Sequence, residues 1–148
     1  RVVLWQHTFG SVLAPGLERI ASQAAIAPDG SSIVYSDSAG GAYHLMRKLR
    51  AEHEPVPLAG TDGAVSPFFS PDGAWIGYVT TDGKLRKVPV AGGGSITLAE
   101  DPASIMISAA WLDDGTIVYT GEGGGLRRVS GNGGPSTAIQ PIAVSVRA

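Results

Sequence analysis

The sequence predicts an all-β chain, a partial β-propeller of about three four-stranded antiparallel blades. Three observations predict it: a repeat of 42 to 43 residues, an Asp-Gly turn opening each copy, and a β-rich run directly after each turn.

The turn recurs as Ala25-Ile26-Ala27-Pro28-Asp29-Gly30, Phe68-Phe69-Ser70-Pro71-Asp72-Gly73 and Ala110-Trp111-Leu112-Asp113-Asp114-Gly115, with the aligned aspartates 43 and 42 residues apart. Gly30, Gly73 and Gly115 accept a positive φ at no steric cost, and Asp29, Asp72 and Asp114 can bond their own local backbone. Pro28 and Pro71 pre-set the chain entering the turn; the third copy has Asp113 there. The residue three before the aspartate is Ile26, Phe69 or Trp111, a bulky group placed to fill the wedge between blades. Burial there predicts a loss of about 3–5 kcal/mol on truncating Phe69 or Trp111 to alanine.

The second strand of each copy follows as Ile33-Val34-Tyr35, Ile76-Gly77-Tyr78 and Ile117-Val118-Tyr119. Residues two apart share a face of a strand, which assigns Tyr35, Tyr78 and Tyr119 to the core with the isoleucines. A third element aligns as Met46-Arg47-Lys48-Leu49, Leu85-Arg86-Lys87-Val88 and Leu126-Arg127-Arg128-Val129, and a fourth ends at Leu58, Leu98 and Ile139. The basic pairs read best as solvated guards of strand edges. A helical solenoid of similar period would need long amphipathic runs. The best stretch, from Leu45 to Glu54, is short and stops at Pro55.

These landmarks divide the chain into an N-terminal strand or linker (1–19), three blades (20–62, 63–103 and 104–140) and a tail or the start of a further strand (141–148). Three blades leave exposed edges, so an edge partner is expected: the rest of a longer propeller, a second copy, or the chain's own ends.

Composition narrows function. The 148 residues are 43% hydrophobic, with a formal net charge of -2, which gives no basic patch for nucleic acid or for a membrane surface. No apolar run approaches the roughly 18–20 residues of a membrane span. Arg1 stands first with no signal-peptide pattern behind it, which predicts a processed or excised chain. There is no cysteine, hence no disulfide framework and no thiolate chemistry.

Catalytic, cofactor and metal residues are all expected to be none. His7, His44 and His53 have no carboxylate at zinc-like spacing. The glycine runs at 92–94 and 121–125 join strands and lack the helix start and Lys-Ser/Thr of a phosphate loop. No Gly-x-Ser-x-Gly elbow is present. Asp29, Asp72, Asp113 and Asp114 are expected to serve turns in preference to calcium.

The repeat resembles the bacterial Pro-Asp-Gly propeller repeat (PD-type, WD-repeat-like) of TolB-like six-bladed propellers. It is most similar to the form attached to bacterial serine/threonine protein kinases, through Pro57-Leu58-Ala59-Gly60-Thr61-Asp62-Gly63-Ala64, Pro67-Phe68-Phe69-Ser70-Pro71-Asp72-Gly73-Ala74-Trp75-Ile76-Gly77 and Gly83-Lys84-Leu85-Arg86-Lys87-Val88-Pro89-Val90-Ala91-Gly92-Gly93. The resemblance implies a six-bladed parent, an extracytoplasmic or periplasmic location, and a non-catalytic scaffold that binds a protein, a peptide or a small ligand. It also implies a kinase sensor, a TolB-like periplasmic protein, or the gate of a prolyl-oligopeptidase-type peptidase as the parent. Binding residues are expected near Ala64 to Pro67 and Asp101 to Ile107, leading into the innermost strands.

Overall fold

The computed structural model describes residues 24–38, 41–100, 109–121 and 124–140. Among these described residues twelve strands form three antiparallel sheets of four, each a simple meander. The first blade is β1 (Ala24–Ile26), β2 (Ser32–Asp37), β3 (His44–Leu49) and β4 (Val56–Pro57). The second is β5 (Ala64–Phe69), β6 (Trp75–Thr80), β7 (Leu85–Pro89) and β8 (Ile96–Ala99). The third is β9 (Ala109–Trp111), β10 (Thr116–Thr120), β11 (Leu126–Ser130) and β12 (Thr137–Ala138). There is no α-helix among the described residues.

The three Asp-Gly turns share one bonding scheme. Asp29 Oδ1 accepts the Ser31 N–H, Asp72 Oδ1 the Ala74 N–H and Asp114 Oδ1 the Thr116 N–H, each two residues on. Gly30, Gly73 and Gly115 follow at φ of 71°, 70° and 85°, a left-handed conformation that costs other residues about 1–2 kcal/mol. The third loop is one residue shorter, since Leu112 N–H bonds Thr116 C=O where Ala27 bonds Ser32 and Ser70 bonds Trp75.

These bonds favour the ionised aspartates. Hydrogen bonding from Ser31 holds the Asp29 carboxyl below the ordinary value of 3.8. The Ser70 hydroxyl does so for Asp72, the Thr80 hydroxyl for Asp82, and the Thr116 N–H for Asp114. A carboxyl depressed in the folded state contributes stability that is present above its unfolded pKa and lost as pH falls through the folded value. The melting temperature is therefore expected to hold from pH 7 to 5 and to fall below about pH 4. Asp72→Asn, which keeps an acceptor but no charge, should make that decline shallower; an unchanged acid limb would remove Asp72 from the account.

Two clusters hold the blades together. One joins the first and second blades through Val34, Leu45 and Leu58 against Ala64, Ile76, Tyr78 and Val88. The other joins the second and third through Val65, Phe68, Val79, Leu85 and Leu98 against Ile117, Tyr119 and Val129. Each large apolar side chain buried in this way stabilises by about 1.5–3 kcal/mol.

A bulge between Val65 and Phe68 decides which aromatic ring enters the second cluster. Ser66 sits there at a φ of 53°, and Pro67 has no N–H to give the ladder. The extra residue flips the strand's alternation, so Phe68 pairs with Gly77 and shares a face with Val65. Phe68 is buried and meets Trp111 edge to face at 6.3 Å. Gly77 leaves it room: a Cβ there would lie 2.2 Å from Phe68 Cζ. Where the second blade pairs Phe68 with Gly77, the first pairs Ala25 with Val34 and the third Ala110 with Val118, the large and small residues exchanged.

Residues 58–63 clasp the first blade to the second. Thr61, fully buried, donates its hydroxyl to Leu58 C=O at 2.7 Å and accepts the Leu45 N–H at 3.0 Å. Tyr78 Oη donates to Gly60 C=O at 3.0 Å. Gly60, at a φ of 80°, lies so close to the 92–93 turn that a Cβ would sit 2.1 Å from Gly93 O.

The register corrects the alignment of the third element. Tyr35 pairs with Met46, Tyr78 with Arg86 and Tyr119 with Arg127, so Met46-Arg47-Lys48 corresponds to Arg86-Lys87-Val88 and Arg127-Arg128-Val129. The link from β2 to β3, residues 38–43, is longer than the 81–84 link of the second blade, and the strand starts later as a result. Nor do the basic residues guard edges: the third strand of each sheet is an inner one.

Ile26 also departs from expectation. It is 52% exposed, while Phe69 and Trp111 are half-buried, each against a neighbouring blade. Ile26 belongs to the face of the first blade that no other described blade covers. Tyr35, on the same face two residues past Ile33, is half-buried, whereas Tyr78 and Tyr119 are fully buried.

Candidate functional site

At the end of the fold that carries the Asp-Gly turns, the second and third blades part to leave a cleft of about 260 Å³. One wall is the 70–72 turn with Trp75 and Lys87; the other is Trp111 and the 112–115 turn, with Gly131 and Asn132 below. Trp75 opens β6 and Lys87 lies on β7, on the blade face that carries Phe68 and Gly77, since Gly77 pairs with Lys87 and Trp75 with Pro89.

Both residues break the repeat. Trp75 occupies the place of Ser32 and Thr116, each directly before the buried isoleucine. Lys87 occupies the place of Arg47 and Arg128. Arg47 crosses the first joint and donates from Nη1 to Val90 C=O at 3.2 Å; Arg128 stays within its blade and bonds Thr137 Oγ1 at 3.2 Å. Lys87 is only 6% exposed, and its Nζ rests 4.2 Å from the centre of the Trp75 ring. The residue corresponding to Val90 is Gly131, as their matching bonds to Ala74 and Gly115 show. Without a side chain at that position, the Trp111 ring lies directly over Gly131, where a Cβ would come within 2.6 Å of it, and forms the third blade's wall of the cleft.

The rim is acidic. Asp72 has Oδ1 committed to Ser70 Oγ at 2.6 Å and to the Ala74 N–H, and Asp113 stands exposed on the opposite turn. Pro28, Asp29 and Gly30 form the corresponding turn of the first blade; Pro28 lies beside Gly73, and none of the three lines the cleft.

The segments expected to bind lie elsewhere. Ala64, Val65 and Pro67 are buried inside β5, because the chain there is already strand and packs into both clusters. Residues 101–107 lie outside the described residues, as do 1–19, 141–148 and His7. His44 is half-buried at the start of β3, and His53 is exposed. Among the described residues no three His, Asp or Glu side chains gather to hold a metal.

No family model matches the chain, and no curated protein matches it. Solved structures do share its fold. A putative TolB from Agrobacterium tumefaciens superposes with a TM-score of 0.64 at 16% identity, over 77% of this chain and 47% of that one. TolB from Acinetobacter baumannii gives 0.67 at 16% identity, over 80% and 31%. The β-propeller domain of the trilobed protease from Pyrococcus furiosus gives 0.52 at 13% identity, over 75% and 40%. The chain spans less than half the length of each. At these identities the likeness is one of fold: three blades of a TolB-like propeller.

Proposed function

We propose that this chain is a non-catalytic binding module, a sector of a larger propeller that engages a protein, a peptide or a small ligand through the surface its blades form. The observation that carries the reading is Leu126, which is 51% exposed, while its counterparts Leu45 and Leu85 are fully buried between blades. A leucine at a joint position calls for a neighbouring blade. The opposite face, with Ile26 exposed beside Ile33 and Lys48, is the other side of the same kind of joint.

Further blades of a six-bladed parent are the first reading of what covers these faces, and a second copy closing a ring of six is the alternative. The Pro57–Ala64 and Pro67–Gly77 segments support a parent of the kinase-associated type, with the module as its sensor. The TolB and trilobed-protease likenesses support a periplasmic binding protein or a peptidase gate. Size-exclusion chromatography with light scattering tests the sector reading: the isolated chain should associate as its concentration rises. A monodisperse 15.1 kDa monomer at every concentration would overturn it.

A further inference from the structure

We infer that the cleft between the second and third blades binds a single carboxylate carried on a peptide, seated on Lys87 between Trp75 and Trp111. This rests on the binding-module reading and names the ligand chemistry of that surface.

The case starts from a cation left short of partners. Lys87 is more than nine-tenths buried and lines the cleft, and among the described residues neither a hydrogen bond nor an ion pair holds it. The Trp75 ring covers one side of its ammonium. An ammonium has three N–H donors and a ring face engages them only weakly, so the side turned to the cleft lacks an acceptor. Its stem is buried while its nitrogen is not among the buried unpartnered atoms, so the ammonium is presented at the cleft, where an acceptor can reach it. At the first joint the corresponding Arg47 finds its acceptor in Val90 C=O. At the second joint no such carbonyl among the described residues takes the shorter lysine, which faces the cleft between Trp75 and Trp111.

The surroundings choose among anions. Asp72 and Asp113 on the rim repel a second negative charge, which disfavours a phosphate dianion and favours one carboxylate. Their free oxygens, with Asn132, can accept the amide N–H groups that accompany a carboxylate on a peptide. Trp75 and Trp111 offer apolar walls to its hydrocarbon part. At about 260 Å³ the cleft lies just under the roughly 300–1,000 Å³ of small-molecule pockets, a size for a side chain or a chain end.

The test titrates the ¹⁵N-labelled 148-residue chain with N-acetyl-Gly-Phe, its C-terminal amide, N-acetyl-Glu-Phe amide and inorganic phosphate, following the amide signals of Asp72, Gly115 and Asn132. At least one carboxylate peptide should saturate the shifts about tenfold more tightly than the neutral amide, as a charge-assisted bond implies. N-acetyl-Gly-Phe as the better ligand identifies a chain end, and N-acetyl-Glu-Phe amide an acidic side chain. Lys87→Met should erase the preference, and Lys87→Arg, which keeps the charge, should retain it. Equal binding of acid and amide, tighter binding of phosphate, or no shift with any peptide overturns the inference. A well-dispersed spectrum with no shift would do so without touching the sector reading, which light scattering decides.

Discussion

Phe68→Ala should destabilise the chain by about 3–5 kcal/mol, the range for truncating a buried aromatic ring. Phe68 fills the joint between the second and third blades, and Trp111 leans on its edge, so the substitution opens a cavity and strips a partner from the tryptophan. Gly77→Val should cost about 1–3 kcal/mol from the other direction, by forcing a side chain into the space of the ring. The double variant is the informative one. It rebuilds the alanine–valine pair that the first and third blades already use, so its loss should fall short of the summed single losses by at least about 1 kcal/mol. Denaturant titration of the four proteins measures this coupling, and strict additivity would refute the exchange of large and small residues. Phe69→Ala, on the half-buried opposite face, should cost clearly less than Phe68→Ala.

The second large effect is expected at Gly60. Alanine there must adopt a left-handed φ, at about 1–2 kcal/mol, and also displace a backbone carbonyl of the next blade. Together these should bring the loss to about 3 kcal/mol. Gly83 is the internal control: its φ is 84°, but a Cβ there would meet nothing within 4 Å. Gly83→Ala should therefore show the conformational cost alone. Matching shifts in the denaturation midpoints of the two variants would show that the approach of Gly93 to Gly60 carries no weight.

The period, the Asp-Gly turns and the four-strand meander were legible because each rests on local chemistry that repeats. A turn that needs a positive φ needs glycine wherever it occurs, and the isoleucine and tyrosine after it alternate with the pleat. What escaped depended on events that happen once. The choice of Phe68 over Phe69 follows from a bulge, and the available signal was Pro67 inside a run that otherwise looked like strand. The slip in β3 follows from a longer loop, which moved Arg47 opposite Lys87 when side-by-side alignment had set it against Arg86. Ile26 was assigned by analogy to a face whose covering blade is not among those described. The cleft is hidden for the same reason: Trp75 and Lys87 carry it because they differ from their counterparts, whereas a repeat is defined by what its copies share. A tryptophan where the other copies have Ser32 and Thr116 was the one visible sign.

The second blade lends one face to each cluster, and this sets how the structure comes apart. In a stacked array, stability is roughly a sum of unit terms and nearest-neighbour terms. Among the described blades there are two such terms, and both include the middle one. Opening the first or the third blade forfeits one neighbour term and can proceed as fraying; opening the second forfeits both at once. The middle blade is thus the kinetic anchor of the array, and the clasp at Gly60 and the ring of Phe68 are the points at which its neighbours are pinned to it.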